Sequence, residues 1–291
     1  MPVGLVTYRG LPKLSEDDRL LLAPLAARGI RAEPVAWDDP AAAWGSYDAL
    51  VIRSTWNYHK AIGAFLEWIE RVEALAVPVW NPPPILRWNG TKTYLRELES
   101  RGVEIAPTRW VAADASLTLA EVLGATGWPD AVVKPAVSAS AYETWRVAVA
   151  HVTTTDESRF RQLAVRPGGV MVQRFVPELA RNGEWSLMFL AREYSHAVLK
   201  RPRAGDYRVQ HEHGGTAEAR MPPPYVVETA RAILATVTGP LLYARVDGCE
   251  IDGRFVLVEL ELLEPSLFLA ADPGAAGRFA EALEQVLGAR G

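Results

Sequence analysis

The chain has 291 residues, with 35 acidic against 31 basic side chains, a formal charge of -4 and one cysteine. Its length allows about two domains of ordinary size, and its hydrophobic (49%) and charged (23%) fractions argue against disorder, collagen-like structure and coiled coil. The slight acidic excess gives no reason to expect a nucleic-acid partner, because nucleic-acid binding usually shows as a basic excess.

The single Cys249 and the N-terminal residues indicate the compartment. One cysteine cannot form an internal disulfide, and no Cys/His cluster has the spacing of a zinc site, so we expect a reducing compartment and no structural metal. Residues 1–8 lack the basic and long apolar regions of a signal peptide, and no apolar run approaches the roughly 18 residues that span a bilayer. We therefore expect a cytoplasmic protein without a membrane partner.

Strand and helix patterns alternate over residues 1–85. Short strands are predicted at 3–8, 31–37, 49–52 and 77–80, and helices at 16–27 and 61–75. This alternation predicts a parallel sheet with covering helices, in which ligands bind at the carboxyl ends of the strands. One such end carries four candidate substrate-binding residues, which are Arg53, Ser54, Thr55 and Trp56. The alternative is a turn with an incidental arginine.

The segment Asn81–Pro84 is the clearest linker, because three prolines prevent helix continuation and stiffen the chain. A helix at 91–100 and a compact middle segment follow. From residue 170 the pattern becomes richer in strands, at 170–175, 184–191 and 194–200, with helices at 225–236 and 273–287. The fold class is therefore α/β at the N-terminus and α+β overall, in three segments.

Two strands flank Asp252-Gly253, which is a hairpin signal. Side chains alternate along a strand, so Glu259 and Glu261 share one face about 6.5 Å apart. The opposite face is predicted to belong to the core, and its residues are Val256, Val258, Leu260 and Leu262.

The register of the hairpin decides whether Asp247 joins the two glutamates. A two-residue turn places Asp247 opposite Val258, on the wrong face, whereas a three-residue loop at 251–253 places it opposite Leu257. We predict the three-residue loop or another odd-length one, which brings Arg245 and three carboxylates onto one face. Carboxylates so placed repel unless a cation lies between them, and Mg²⁺ prefers oxygen ligands. The alternative is the solvated face of an edge strand.

Two lysines stand out by context. Lys92 lies at the start of a predicted helix, where backbone N–H groups favour anions. Lys134 ends an apolar strand, so its ammonium emerges at the edge of the core, although a solvated strand end is the alternative. Together with three carboxylates, the two lysines indicate a phosphate ligand.

These motifs resemble those of the ATP-grasp superfamily, specifically its glutathione-synthetase-like carboxylate–amine ligases. Segments 89–95 and 133–135 resemble its two lysine motifs, 172–178 its adenine-binding hinge, and 245–247 with 259–261 its arginine and metal motifs. The resemblance implies an N-terminal parallel-sheet domain (1–85), a central lid subdomain (86–170) and a C-terminal strand-rich subdomain (171–291). It assigns ATP binding to Lys92, Lys134, Gln173, Arg174, Phe175, Val176, Glu178 and Glu184.

The same resemblance implies the remaining roles. Asp247, Glu259 and Glu261 would hold two Mg²⁺ ions, with Mn²⁺ as an alternative. The catalytic residues would be Arg245, Lys200 and Arg208, and the substrate-binding loop would include Gly214 and Gly215. The neighbouring His211 and His213 are weaker candidates for substrate contact.

The closest likeness within the superfamily is to the cyclo-ligases of cycloserine biosynthesis, and it lies in residues 53–58, 80–82, 88–89 and 195–200. Such enzymes close O-ureido-serine into cycloserine with release of ammonia and carbon dioxide. The likeness implies an ATP-dependent ligase that phosphorylates a substrate carboxylate to an acyl phosphate, which a nitrogen of the same molecule then attacks. The partner would be a small amino-acid-like substrate, and a homodimer is a possible assembly.

Two alternatives stay open. One is an intermolecular ligase that joins an amino acid to a peptide or amine. The other is a nucleotide-binding protein without ligase activity, which is suggested because residues 136–141 lack the glycines that usually wrap a phosphate. Thr91 is a second departure, since the family usually has Asp before its first lysine.

Overall fold

The computed structural model describes residues 1–203, 205–206, 208–209 and 214–288, and these form three β-sheets. The first sheet has the order β2-β1-β3-β4 and is parallel throughout, which confirms the predicted α/β start of the chain. Its strands are β1 (Pro2–Thr7), β2 (Arg31–Ala36), β3 (Ala49–Ile52) and β4 (Val79–Trp80).

The helices of this first part are α1 (Glu16–Arg19), α2 (Leu22–Ala27) and α3 (Ile62–Ala74). The single helix predicted at 16–27 is divided into α1 and α2. Pro24 has no N–H to donate to the carbonyl of Leu20, which removes a hydrogen bond that one continuous helix would need.

The predicted proline linker is wrong, because Pro83 begins α4 (Pro83–Asn89). Proline is tolerated in the first turn of a helix, where an N–H would have no intrahelical partner. The preceding Asn81 is fully buried, and its amide donates to the carbonyls of Tyr243 (2.9 Å) and Leu262 (2.7 Å). This side chain therefore fastens the end of the first sheet to the C-terminal part of the chain. The next helix is α5 (Tyr94–Ser100).

The middle sheet is antiparallel and has the order β5-β8-β6-β7. Its strands are β5 (Thr108–Val111), β6 (Asp130–Pro135), β7 (Trp145–Ala148) and β8 (Val170–Arg174). Capping boxes, in Thr118 with Glu121 and in Thr153 with Asp156, begin the helices α6 (Leu119–Gly124) and α7 (Thr154–Ala164).

The C-terminal sheet is antiparallel, with the order β11-β10-β9-β12-β13. Its strands are β9 (Glu184–Leu190), β10 (Glu193–Arg201), β11 (Thr216–Ala219), β12 (Tyr243–Ile251) and β13 (Arg254–Glu261). The remaining α-helices of the described residues are α8 (Pro177–Asn182), α9 (Pro224–Ala235) and α10 (Ala275–Gly288). In the described part of the chain, no helix is long and apolar enough to cross a membrane.

Two hydrophobic cores bear on the predicted domain limits. Tyr94, Leu95 and Leu98 of α5 pack in one core with side chains of the C-terminal sheet, whereas the core of the middle sheet gathers residues between Val111 and Val172. Strand β8 also pairs with β5 and β6, so a boundary at 170/171 would cut through the middle sheet. We therefore propose that the lid subdomain extends from about 108 to 174 rather than from 86 to 170.

The hairpin β12–β13 closes with a two-residue turn, so the predicted three-residue loop is wrong. Ile251 pairs with Arg254, and Asp252 and Gly253 adopt left-handed backbone angles (φ 50° and 74°). A β-bulge then shifts the register, because Gly248 pairs with Leu257 while Asp247 pairs with Glu259.

The extra residue in this bulge is Val258. Leu257 and Leu260 consequently face the same core, while Val256 and Val258 pack in a different cluster with Cys249. The prediction that Val256 and Val258 share a face with Leu260 is therefore wrong. The bulge nevertheless brings Asp247 beside the two glutamates. This arrangement was predicted from the sequence, but as the result of an odd-length loop.

Candidate active site

A cavity of about 860 Å³ is lined by residues from all three sheets and the loops that follow their strands. Trp56 follows the first sheet, Lys134 lies on the middle sheet, and Lys200 and Arg245 lie on the C-terminal sheet. Most of the predicted site residues gather here, although they are spread over more than 150 positions of the sequence.

Three carboxylates form a cluster in the cavity. Asp247 on β12 and Glu259 and Glu261 on β13 each offer an oxygen, and these atoms lie within 4.8 Å of one another. Three carboxylate oxygens so close together are a donor set that fits a hard cation such as Mg²⁺. The residues present therefore suit the predicted metal role.

Basic side chains surround this cluster. Arg245 donates from Nη2 to Asp247 Oδ2 (2.9 Å) and also to Glu261. Lys200 donates from Nζ to Glu184 Oε1 (2.6 Å) and to Asp247 Oδ2 (3.1 Å). These contacts place Arg245, Lys200 and Glu184 in one network with Asp247.

The charges shift the acidities of the carboxyl groups in opposite directions. Burial alone would raise the pKa of Asp247, but the charges of Arg245 and Lys200 outweigh it and lower this pKa to about 2. Burial raises the pKa of Glu261 to about 7, against the opposing charge of Arg245. Burial, assisted by the charge of Glu261, also raises the pKa of Glu264 well above its usual range. The positive charges of the protein thus outweigh burial at Asp247 but not at Glu261 or Glu264.

The two predicted ATP-binding lysines lie on the same cavity. The ammonium of Lys92 pairs with Glu259, and its backbone N–H donates to the carbonyl of Ala136 (2.8 Å). Lys134 donates from Nζ to Gln173 Oε1 (3.1 Å). Burial, with a further contribution from the charge of Lys92, lowers the pKa of Lys134 to about 8. An anionic ligand would stabilise the charged form of this lysine.

The predicted hinge reaches the cavity only in part. Gln173 and Glu184 line it, whereas Arg174, Phe175, Val176 and Glu178 do not. The backbone N–H groups of Arg174 and Phe175 donate to the carbonyls of Pro107 (2.8 Å) and Asp130 (3.0 Å). These two donors are therefore already engaged within the protein.

Of the four predicted substrate-binding residues after β3, only Trp56 lines the cavity. Arg53 is completely buried, and its Nε donates to Asp18 Oδ1 (2.8 Å). Ser54 is also buried and bonds to Asp18, and Thr55 is buried with a hydroxyl that has no partner among the described residues. The structure thus buries Arg53, Ser54 and Thr55 outside the lining of the cavity.

The loop between β10 and β11 contributes two of its predicted residues. Arg208 and Gly215 line the cavity, while Gly214 does not. Arg208 donates from Nη2 to Asp206 Oδ2 (2.9 Å). His211 and His213 lie outside the described residues.

Sequence reasoning overlooked several residues that line the cavity, among them Tyr58, Glu264 and Phe268. Glu264 directly precedes Pro265, three residues beyond the predicted metal ligand Glu261. A carboxylate just past the end of the carboxylate strand is the signal that could have identified it, since strand ends border the site.

Comparisons with known proteins agree with this geometry. A family model of the N-terminal domain of D-cycloserine synthetase DcsG matches residues 3–81. The chain is 32% identical over 298 residues to the cycloserine biosynthesis protein DcsG of Streptomyces lavendulae, and the match covers 98% of each chain.

Solved structures give the same result. The crystal structure of D-cycloserine synthetase DcsG superposes with a TM-score of 0.89 at 28% identity, covering 99% of this chain and 100% of that one. A D-alanine–D-alanine ligase from Bacillus anthracis superposes over the full length of both chains with a TM-score of 0.71 at 15% identity, which shows a shared fold.

The chain therefore belongs to the ATP-grasp superfamily and is an ATP-dependent ligase, as the sequence motifs predicted. Within that superfamily it is a relative of the cycloserine biosynthesis protein DcsG.

Proposed function

We propose that the protein uses ATP and Mg²⁺ to phosphorylate the carboxylate of an O-ureido-serine-like substrate and closes the acyl phosphate to a cycloserine-type ring. The observation that carries this proposal is the single cavity in which Asp247, Glu259 and Glu261 meet Lys92, Lys134 and Arg245. The likeness to DcsG over 98% of the chain supports the choice of substrate class.

The cavity has the size that this chemistry requires. Small-molecule sites generally enclose ~300–1,000 Å³, and about 860 Å³ lies near the top of that range. A nucleotide together with a small amino-acid-like substrate fits this description better than a single small ligand does. The same cavity volume is less suited to an intermolecular reaction with a large peptide acceptor.

The roles of the residues follow from their charges. Lys92, Lys134 and Arg245 stabilise the negative charge that spreads over the transferring phosphoryl group, which is the main contribution of the protein in phosphoryl transfer. Asp247, Glu259 and Glu261 would hold the metal, and two ions are the number we propose. Bound Mg²⁺ supplies charge neutralisation at the phosphate oxygens.

The bond changes are those of two successive transfers. A carboxylate oxygen of the substrate attacks the γ-phosphorus of ATP, and ADP leaves. The nitrogen bonded to the side-chain oxygen of the same molecule then attacks the acyl carbon and loses its proton to solvent, and inorganic phosphate leaves. Hydrolysis of the carbamoyl group that this nitrogen still carries then releases ammonia and carbon dioxide and leaves the cycloserine ring. Holding both reacting groups in one molecule makes the second step unimolecular, which favours ring closure over attack by a separate amine.

The loop after Lys134 fits a phosphate-covering role although it lacks glycine. Ser140, Ala141 and Glu143 adopt left-handed backbone conformations (φ 48°, 55° and 51°). Glycine usually occupies such positions because it carries no Cβ penalty. The loop thus adopts glycine-like conformations with other residues, which weakens the sequence argument for a protein that only binds nucleotide.

The experiment measures ADP release and ring product together, with O-ureido-serine and with a panel of amino-acid pairs. We expect ADP and the ring product in equal amounts with O-ureido-serine alone. ADP release that requires two amino acids would instead establish an intermolecular ligase, and ADP release with neither would contradict the proposal.

A pair of variants on one hairpin tests the metal assignment. Asp247→Asn removes a charge from the cluster and should lower kcat at least about 100-fold, because a ligand to the charge-neutralising cation is lost. Asp252→Asn removes the same charge at the exposed turn, where asparagine tolerates the left-handed backbone, and should leave kcat unchanged. Equal activity of both variants would refute the metal role of Asp247. The homodimer and the cytoplasmic location stay predictions.

A further inference from the structure

Glu264 is a buried carboxylate on the cavity that the reaction described above does not use. It lies just beyond β13, lines the cavity and is 9% exposed. Within the described part of the chain, no residue donates a hydrogen bond to its carboxylate or forms an ion pair with it. A carboxylate so far removed from water is costly unless it meets a cation or a hydrogen-bond donor.

The other carboxylates of the cavity differ from Glu264 in this respect. Each of them forms an ion pair with a lysine or an arginine: Glu184 with Lys200, Asp247 with Lys200 and Arg245, Glu259 with Lys92, and Glu261 with Arg245. The protein therefore supplies a counter-ion to each of these four carboxylates, whereas Glu264 has none among the described residues.

The backbone around Glu264 is held firmly in place. Its carbonyl accepts a hydrogen bond from Trp56 Nε1 (3.2 Å), and the next two carbonyls, of Pro265 and Ser266, accept from Arg53 Nη2 (2.6 Å) and Arg245 Nη1 (3.0 Å). Three consecutive carbonyls are thus fixed by side chains from the loop after β3 and from β12. This arrangement holds the Glu264 side chain at the cavity and limits its freedom to turn toward solvent.

Glu264 lies outside the metal cluster. The ligand oxygens of Asp247, Glu259 and Glu261 form a group within 4.8 Å, and Glu264 is not a member of it. The aromatic residues Trp56, Tyr58 and Phe268 line the same cavity. Aromatic rings and a carboxylate together suit an organic ammonium group better than a hydrated metal ion.

We propose that Glu264 binds the α-ammonium group of the amino-acid substrate and thereby selects substrates that carry an amine. This inference rests on the proposed function, since it concerns the recognition of the same amino-acid-like substrate. The residue is a substrate-binding and specificity-determining group, and it takes no part in phosphoryl transfer.

The test compares two ligands that differ only in the amine: O-ureido-serine and its desamino analogue, 3-(ureidooxy)propanoate. Both are titrated calorimetrically and assayed for ADP release with the wild type and with Glu264→Gln, which keeps the size of the side chain. Glu264→Asp tests whether a shorter carboxylate restores part of the effect. Glu228→Gln, on the exposed face of α9, is the control that loses one charge away from the cavity.

We expect the wild type to favour O-ureido-serine over the desamino analogue by about 100-fold in Kd and in kcat/KM. Glu264→Gln should raise the KM for O-ureido-serine by about 100-fold and change the KM for the desamino analogue by no more than a few-fold. The affinities for ATP and Mg²⁺ should stay unchanged. Glu264→Asp should recover part of the discrimination, and Glu228→Gln should behave as the wild type.

Three results would overturn the proposal. The first is discrimination that persists in Glu264→Gln. The second is an equal loss of affinity and of kcat/KM for both ligands in Glu264→Gln, which would indicate a structural or proton-transfer role. The third is weakened binding of Mg²⁺, which would make Glu264 a metal ligand. Failure of the proposed function would give a different result. The difference in calorimetric Kd between the two ligands does not require turnover, so it can be observed even if no ring product forms.

Discussion

Replacing Arg53 by methionine tests whether this arginine positions the active site or contacts substrate. Arg53 and Asp18 form a buried ion pair (Nε–Oδ1 2.8 Å) with side-chain exposures of 0% and 3%. The guanidinium also packs over the ring of Tyr243, 4.9 Å from its centroid, and donates to the carbonyl of Pro265. Methionine keeps much of the packing but removes the charge and the donors.

The expected cost follows from these contacts. Removing one partner of a buried ion pair typically costs about 3–5 kcal/mol, because the other charge is left without compensation. The hydrogen bond to Pro265 adds about 1 kcal/mol. Methionine packing offsets part of this sum, so we expect Arg53→Met to lower the free energy of unfolding by about 4 kcal/mol and Tm by roughly 10 °C.

Urea denaturation followed by tryptophan fluorescence measures this change, and Arg87→Met is the matched control. Arg87 pairs with Glu73 at the same distance of 2.8 Å, but the two side chains are 35% and 47% exposed. Surface pairs contribute about 0–1 kcal/mol, so this variant should lose less than about 1 kcal/mol.

The structural interpretation of Arg53 also predicts how it couples to Asp18. In the double variant Arg53→Met/Asp18→Asn, no uncompensated buried charge remains, so the loss should be smaller than the sum of the two single losses by at least about 1 kcal/mol. The reasoning is refuted if Arg53→Met is no more destabilising than Arg87→Met while KM for the substrate rises. That result would make Arg53 a substrate contact.

Two further predictions concern the hairpin that carries the carboxylates. A Cβ at Gly248 would clash with the ring of Phe255 and lie 2.6 Å from the carbonyl oxygen of Val256. Gly248→Ala should therefore displace the bulge, lower the free energy of unfolding by about 1–3 kcal/mol in urea denaturation, and reduce ADP release. Unchanged stability and activity would contradict this prediction. Burial, with the charge of Glu184 and other carboxylates, raises the pKa of Cys249 to about 12, so the thiol is protonated at pH 8. Cys249 should therefore react with a disulfide reagent only after the protein unfolds. Rapid labelling of the native protein would refute this inference.

The charged residues that meet in the cavity were predictable because the chemistry of each depends on its own side chain. Lys134 and the three carboxylates lie on apolar strands, and Lys92 precedes a helix; parallel and hairpin patterns bring strand ends together. What could not be predicted is the register. A β-bulge at Val258 has no strong local sequence signal, and the Asp252-Gly253 turn alone indicates pairing that would face Asp247 away from Glu259.

The position of Arg53 was unpredictable for a different reason. A polar residue at a strand end can face the cavity or a neighbouring element, and its direction depends on contacts between distant parts of the chain. Asp18 lies 35 positions earlier and Pro265 lies 212 positions later, so neither partner is visible from the local pattern. The proline segment shows the same limit, because Pro83 begins a helix once Asn81 is fixed by the C-terminal sheet.

If Glu264 binds substrate as proposed, the polar residues after β3 support it indirectly, through the backbone that carries Glu264. Arg53 and Trp56 donate hydrogen bonds to the carbonyls of Pro265 and Glu264, and these bonds fix the part of the cavity wall that carries the Glu264 side chain. Arg245 holds the next carbonyl while it also pairs with Asp247, so the same residue links this wall to the metal cluster. Replacing Arg53 should therefore alter substrate affinity only by lowering stability and by displacing Glu264. The preference for O-ureido-serine over its desamino analogue should not fall further in Arg53→Met than in Glu264→Gln.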